Sequence, residues 1–231
     1  MGPSLAVVVV THDSAAAIGT TLRALLPQLA DGDELVVVDT ASADATLDAV
    51  RDAAPDAEVL ALKENLGFAG GASAGARRTT APLLLFLNPD STPEPGCIDA
   101  LRACAAGRPR WGAWQALVLQ PDGTVNSAGN PVHFLGFAWA GQHGAPADAI
   151  GNEPHVVASA SGAALTVRRE AWDGVGGFDE RYFMYGEDVD LSLRLRLAGW
   201  RVGLAPAARV VHDYAFAKGD YKWFHLERNR W

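Results

Sequence analysis

Glu187, Asp188 and Asp190 crowd the start of a helical pattern, directly behind an aromatic run of Tyr182, Phe183 and Tyr185. Acids suit a helix's first turn, where the dipole is positive. Asp190 can also pair with Arg194 one turn on, and that pairing accounts for Asp190. Asp188 and Glu187 are left among apolar neighbours, which raise a carboxylate's pKa towards that of a useful base. Asp188 is the candidate base and Glu187 the second choice.

Two more carboxylates stand at the ends of apolar runs. Asp39 closes ELVVVD, and Asp90 follows LLLFLNP. In open parallel sheets ligands bind beyond the carboxyl ends of the strands, so Asp39 is a candidate for a base NH or a ribose hydroxyl. Nearby, Ser42 reads as a helix cap and Asp44 as a first-turn acid. Asn88-Pro89-Asp90 is open to two readings. It is a polar turn, or it is a hard-cation site in which one carboxylate and phosphate oxygens hold Mg²⁺ or Mn²⁺. His212, after the apolar stretch ARVV, would be structural alone and a further metal ligand if Asp90 binds a cation. The glycine-rich segment from Asn65, with Gly67, Gly70, Gly71 and Gly75, could bring backbone close to a ligand and aim amides at phosphate. It lacks the dinucleotide fingerprint, and no P-loop occurs.

These residues need a frame. Leu5–Val10, Glu34–Asp39, Val59–Leu62 and Leu83–Leu87 read as strands, and helical patterns separate them. Ile18, Leu22, Leu25, Leu26 and Leu29 form one apolar stripe behind Ser14 as cap. A second helix spans Asp44–Arg51, and a third opens at the glycine-rich turn. Crossovers of this kind imply a parallel sheet flanked by helices. Beyond Asp90 the pattern loosens. A helix near Cys97–Ala106, strands over Trp111–Leu119, Ala163–Arg168 and Arg209–His212, and a helix over Glu187–Ala198 are expected. Residues 128–155 read as a long loop, and its Trp139, with His143, offers an acceptor surface or ordinary packing. The expectation is one α/β domain, with residues 1–91 forming a nucleotide-binding half and 92–231 a mixed half.

Bulk properties narrow the function classes. The 231 residues carry 27 acids against 19 bases, a net charge of −8, which disfavours a nucleic-acid partner. No apolar run reaches the length of a spanning helix and the start lacks a signal-peptide layout, so a cytoplasmic protein is expected, with peripheral membrane association left open. Cys97 and Cys104 read as reduced core residues two helical turns apart.

In order, VVVVTHDS, VVVDTASADAT, ENLGFAGGASAG, LLLFLNPDS, SGAALTVRRE, GGFDERYFMYGEDVDLSLRLRLAGW and ARVVH resemble the family 2 glycosyltransferases, particularly their bacterial rhamnosyltransferase-like branch. The resemblance covers nearly the whole chain. It implies a GT-A fold and inverting transfer from a nucleoside-diphosphate sugar, such as dTDP-rhamnose or a UDP-hexose. The acceptor would be a saccharide, a lipid-linked molecule or a small hydroxyl compound in cell-surface glycoconjugate synthesis. By the same resemblance Thr11 and Asp39 hold the nucleoside, and Asn65, Gly67, Gly70 and Asn88 belong to the donor site. Asp90 meets a Mg²⁺ or Mn²⁺ ion with His212, Asp188 is the base, and Tyr185 joins Trp139 towards the acceptor. Asn88 stands where many members carry a carboxylate, Thr40 and Ser73 replace common asparagines, and members usually continue past the position of Trp231. A sugar nucleotidyltransferase would carry a basic loop after the first strand, where this chain has THDSAAA. A glycoside hydrolase would need paired carboxylates and no nucleotide site. A non-catalytic nucleotide-sugar-binding module is the remaining competitor.

Overall fold

The computed structural model describes residues 2–213 and 219–229. Its first half is β1 (Leu5–Thr11), α1 (Ile18–Leu25), β2 (Glu34–Thr40), α2 (Thr46–Ala53), β3 (Glu58–Leu62), α3 (Gly67–Ala76) and β4 (Leu83–Leu87). The second half runs β5 (Ser91–Pro93), α4 (Cys97–Gly107), β6 (Trp111–Leu119), β7 (Val125–Ser127), β8 (His155–Val156), β9 (Ala164–Arg168), α5 (Arg169–Val175), α6 (Glu187–Leu197), β10 (Arg201–His212) and α7 (Gly219–Asn229). One sheet joins them in the order β3-β2-β1-β4-β9-β6-β10-β5, with β7 beside β6 and β8 beside β10.

The strands β3, β2, β1 and β4 are mutually parallel, as their continuous apolar runs require of strands covered on both faces. Leu5, Val7 and Val9 face one way with Ile18, Leu22 and Leu25 of α1. Ala6, Val8 and Val10 face the other way with Ala69 and Ala72 of α3. Each fully buried side chain of this kind contributes about 1.5–3 kcal/mol, so β1 is a fixed platform for what stands at its end. The mixed half begins where β9 runs antiparallel to β4.

Several expectations are corrected. Ser14 does not cap α1: the residue before that helix is Ala17, and Ser14 supplies its carbonyl to the amides of Ala17 and Ile18. Leu26 leaves the apolar stripe and is 36% exposed, because the helix tightens into a 3₁₀ turn over Leu26–Gln28. Ser42 is no helix cap either; its hydroxyl donates to Asp39. Asp44 is not a first-turn acid: α2 starts at Thr46 behind Ala45, the first-turn acid is Asp48, and Asp44 precedes the helix, accepting the Thr46 amide and hydroxyl. The strand expected over Arg209–His212 is twelve residues long. Pro206 hides its first part, and the ladder to β6 accommodates the proline by a register shift between Ala205 and Arg209. Helix α5 and the short strands β5, β7 and β8 gave no periodic signal. Segment 128–155 is mostly irregular, pinned by isolated bridges Asn130–Ser159 and Val132–Ala138.

Both cysteines are free and buried. Burial pushes the Cys97 thiol up to about 12 and the Cys104 thiol to about 11, which keeps them unreactive.

Candidate active site

Three corners of the molecule meet at the carboxyl edge of the parallel strands. The first is built by β1 and β2, whose register puts Thr11 opposite Asp39. Asp39 is buried and accepts the Thr11 hydroxyl at 2.9 Å, the Ser42 hydroxyl at 2.5 Å and the Ser42 amide at 3.1 Å. Three donors fix the carboxylate and leave acceptor capacity on it. The flanking loops are strained, with Asp13 at φ +46° and Ala41 at φ +57°. They are tied together by the Asp13 amide on Ser42 Oγ and the Ala43 amide on Asp13 Oδ1. Such outliers gather at functional sites. A cleft of about 310 Å³ opens here, lined by Val10, Thr11, His12, Thr40, Asn65, Gly67, Phe68, Met184 and Tyr221.

The glycine-rich segment serves packing as much as access. Asn65 Oδ1 accepts the Gly67 amide at 2.8 Å, and the Ala69 amide donates to the Phe183 carbonyl at 3.1 Å, so two early amides of α3 are engaged inside the protein. A Cβ on Gly67 (φ +67°) would collide with that same carbonyl oxygen. One on Gly71 would stand 2.6 Å from Val10 Cγ1. The glycines thus let α3 lie directly on β1 and β2. Asn65 and Gly67 reach the cleft; Gly70 is buried against Leu66 and does not line it.

The second corner follows β4. Asp90 Oδ1 lies 3.1 Å from His212 Nε2, and Asn88 Nδ2 lies 3.5 Å from the same nitrogen. The antiparallel register of β5 and β10, which sets His212 opposite Ser91, brings residues 124 positions apart together. Thr21 pins the turn by donating to the Pro89 carbonyl at 2.9 Å. Among the described residues no group of three or more His, Cys, Asp or Glu side chains is placed to hold a metal ion. A carboxylate oxygen and an imidazole nitrogen this close do suit a divalent cation whose other ligands are phosphate oxygens and water. The same 3.1 Å contact is also that of a direct hydrogen bond between the two side chains.

The third corner is the start of α6. Gly162 donates its amide to Asp188 Oδ2 at 2.9 Å, and Val189 to Oδ1 at 2.8 Å. Burial raises the Asp188 pKa, and those two amides oppose the rise. Glu187 is 6% exposed. Its pKa is raised well above the ordinary range, first by burial and then by the Asp188 charge. Among the described residues its Oε2 has no hydrogen-bond partner. Asp190 pairs with Arg194 at 2.6 Å. Asp188 sits on the same edge as Asn88, because the Asn88 amide donates to Ala163, the neighbour of Gly162, at 3.0 Å.

Tyr185 is half-buried in the loop before Asp188, at φ +64°. Trp139 is 54% exposed on a turn that also exposes Phe134, Leu135 and Phe137, which favours the surface reading over packing. Sequence reasoning passed over His12, Phe68, Met184 and Tyr221. The strand-end rule that found Asp39 also reaches His12, whose Nδ1 lies 2.9 Å from the Thr40 carbonyl. Tyr221 had no such signal. Helix α7 runs to Asn229; Arg230 and Trp231 lie outside the described residues, as does Met1.

A family profile described as "Glycosyltransferase like family 2" matches residues 3–231. An N-acetylglucosaminyl-diphospho-decaprenol L-rhamnosyltransferase of Mycobacterium tuberculosis is 34% identical over 219 residues, covering 83% of this chain and 70% of the relative. Among solved structures, GalNAc-T7 with UDP, GalNAc and Mn²⁺ superposes with a TM-score of 0.78 at 17% identity, over 94% of this chain and 45% of that one. The mannosyltransferase PcManGT of Pyrobaculum calidifontis, with GDP-Man and Mn²⁺, gives 0.69 at 21% identity, over 96% and 60%. This chain therefore spans about half of the solved chains it resembles, and shares their GT-A fold. On its sequence, the chain belongs to glycosyltransferase family 2.

Proposed function

We propose that this protein transfers a sugar, with inversion, from a nucleoside-diphosphate donor to a hydroxyl group. The observation that carries the reading is the convergence of Asp39, Asp90 with His212, and Asp188 on one sheet edge. Residues 1–91 form the donor half and 92–231 the acceptor and catalytic half. Thr11 and Asp39 anchor the nucleoside, and the diphosphate extends past Asn65 and Gly67 towards Asp90 and His212. Those two side chains would hold Mg²⁺ or Mn²⁺, which when bound offsets the charge of the departing diphosphate.

Asp188 acts on the acceptor. Its carboxylate, aimed by the Gly162 and Val189 amides, takes the hydroxyl proton as that oxygen attacks the anomeric carbon from the face opposite the diphosphate. The new carbon–oxygen bond forms as the bond to the diphosphate breaks, and nucleoside diphosphate leaves. A raised pKa makes Asp188 a better base than a free aspartate. Burial raises the Glu187 pKa, which favours its neutral form and so works against a second charge beside Asp188.

The relatives named as rhamnosyltransferases favour a deoxyhexose donor and a lipid-linked acceptor. Such an acceptor brings the protein to the inner face of the membrane as a peripheral enzyme. No helix of the described residues is long and apolar enough to cross a membrane. The exposed Phe134, Leu135, Phe137 and Trp139 offer apolar contact to a lipid-linked saccharide, with the Trp139 indole stacking on a sugar ring.

A thermal-shift screen of nucleoside diphosphates and nucleotide sugars, with and without Mn²⁺, tests the donor reading. A true donor at a hundredfold excess over Kd stabilises the fold by about 2.7 kcal/mol. Asp90→Ala should abolish the Mn²⁺-dependent part. If no nucleotide raises Tm under either condition, the reading is wrong.

A further inference from the structure

The loop that delivers Asp188 is strained, and the C-terminal helix holds it. Phe183 sits at φ +64°, ψ −65°, and the Met184 amide donates to the Tyr182 carbonyl at 2.7 Å. That closes a γ-turn of a hand that is rare because its central residue is strained. Tyr185 at φ +64° and Gly186 at φ +90° follow, and α6 starts at Glu187. Strain of this kind persists only when the surroundings over-determine it.

Helix α7 supplies those surroundings. Asn229 Nδ2 lies 2.9 Å from the Tyr182 carbonyl, 2.8 Å from that of Met184 and 2.6 Å from that of Tyr185. Three acceptors around one atom fix it as the nitrogen, and its two N–H groups are shared among them. Arg228 Nη2 adds donors to the carbonyls of Arg181 and Tyr182, and the His225 ring stacks on Phe183 at 5.4 Å. From the opposite side the Ala69 amide holds the Phe183 carbonyl. These groups span more than forty residues of chain yet converge on the few that precede the base.

We infer that Asn229 is a positioning residue for Asp188: by tying down the Tyr182, Met184 and Tyr185 carbonyls of the strained turn, it fixes where α6 begins and where the carboxylate points. The inference rests on the reading of Asp188 as the base. A side chain that merely anchored α7 would not need to gather the carbonyls of one turn, and its loss would not single out the chemical step.

Asn229→Asp tests this in the full chain, because it keeps the volume and replaces both N–H donors with an acceptor. Asn229→Ala removes the donors without adding charge. Both should lower kcat by at least about tenfold, the scale on which small misplacements of reacting groups act. The Kd for the nucleoside diphosphate, read by calorimetry, should change by less than about threefold. Hydrogen exchange should quicken at the Met184 amide and not at the amides of β1 and β4. Asn229→Gln, which retains the amide on a longer stem, should recover part of the lost kcat. A kcat within about twofold of the unsubstituted protein in both variants, or exchange that quickens across the whole chain, overturns the inference. If the unsubstituted protein transfers no sugar, the glycosyl-transfer reading fails by itself. The exchange arm still decides the clamp, which an unchanged Met184 amide would overturn.

Discussion

The corner around Asp39 and the corner around Asp188 each present a carboxylate held by protein donors, yet they are built in opposite ways. Asp39 is fixed by Thr11 and Ser42, which lie on its own strand end and on the strand beside it. Parallel pairing of β1 with β2 is enough to assemble it. Asp188 depends on the Gly162 amide from the edge of β9, on a strained loop, and on a helix some forty residues later. The Asp39 corner is thus local, whereas the Asp188 corner is assembled from distant segments and leaves a buried carboxylate with a raised pKa. Burial without full pairing is what raises a carboxylate's pKa, so the second construction suits a base and the first an anchor.

Breaking each corner should give opposite kinetic signatures. Asp188→Asn should lower kcat by about 10²- to 10⁴-fold, the usual contribution of a general base. Calorimetric nucleotide affinity should stay near that of the unsubstituted protein. In the unsubstituted protein the base works only when ionised. With its pKa raised above 3.8, kcat should fall as pH drops through that raised value. Asp39→Ala should act on the other parameter, raising the donor KM by about tenfold or more with a smaller change in kcat. It also strips the Thr11 and Ser42 donors of their acceptor, so a stability loss of about 1–3 kcal/mol should accompany it in denaturant titration. Equal losses of kcat in the two variants would erase the distinction drawn between the corners.

Gly71→Ala probes the platform beneath the donor corner. Helix propensity favours alanine by about 1 kcal/mol, but the new methyl would stand 2.6 Å from Val10 and 3.1 Å from Thr40. Overpacking of that kind costs about 1–3 kcal/mol, so a net fall in Tm is expected, and a rise in Tm would show that α3 can move off β1. The smallest effect concerns Glu187. Its folded pKa is raised above 4.5, so what it contributes to stability is present below pH 4.5 and lost as pH rises towards the folded value. Glu187→Gln should therefore gain Tm relative to the unsubstituted protein as pH increases from 4.5, and a pH-independent difference would contradict its burial as an unpaired acid.

Much of the fold of residues 1–91 was legible because its signals are local. Apolar runs covered on both faces announce parallel strands, and strand ends announce where Asp39 and Asp90 stand. The failures there were at caps: Ser14 and Ser42 have the right residue type, but the chain places Ser14 too early and turns Ser42 to Asp39. The second half was less legible. A proline in the middle of β10 conceals two-thirds of the strand, and short strands such as β5 carry too few residues for a period to show.

By itself, the sequence determined the alternation of strands and helices, the split among the acids of α6, and which carboxylates stand at strand ends, because each follows from the spacing of neighbouring residues. Only the tertiary structure decided that His212 meets Asp90, that Gly162 aims Asp188, that glycines bring α3 onto β1, and that Asn229 grips the turn before the base. Those contacts join segments far apart in the chain, and the registers and packing that bring them together are properties of the whole sheet.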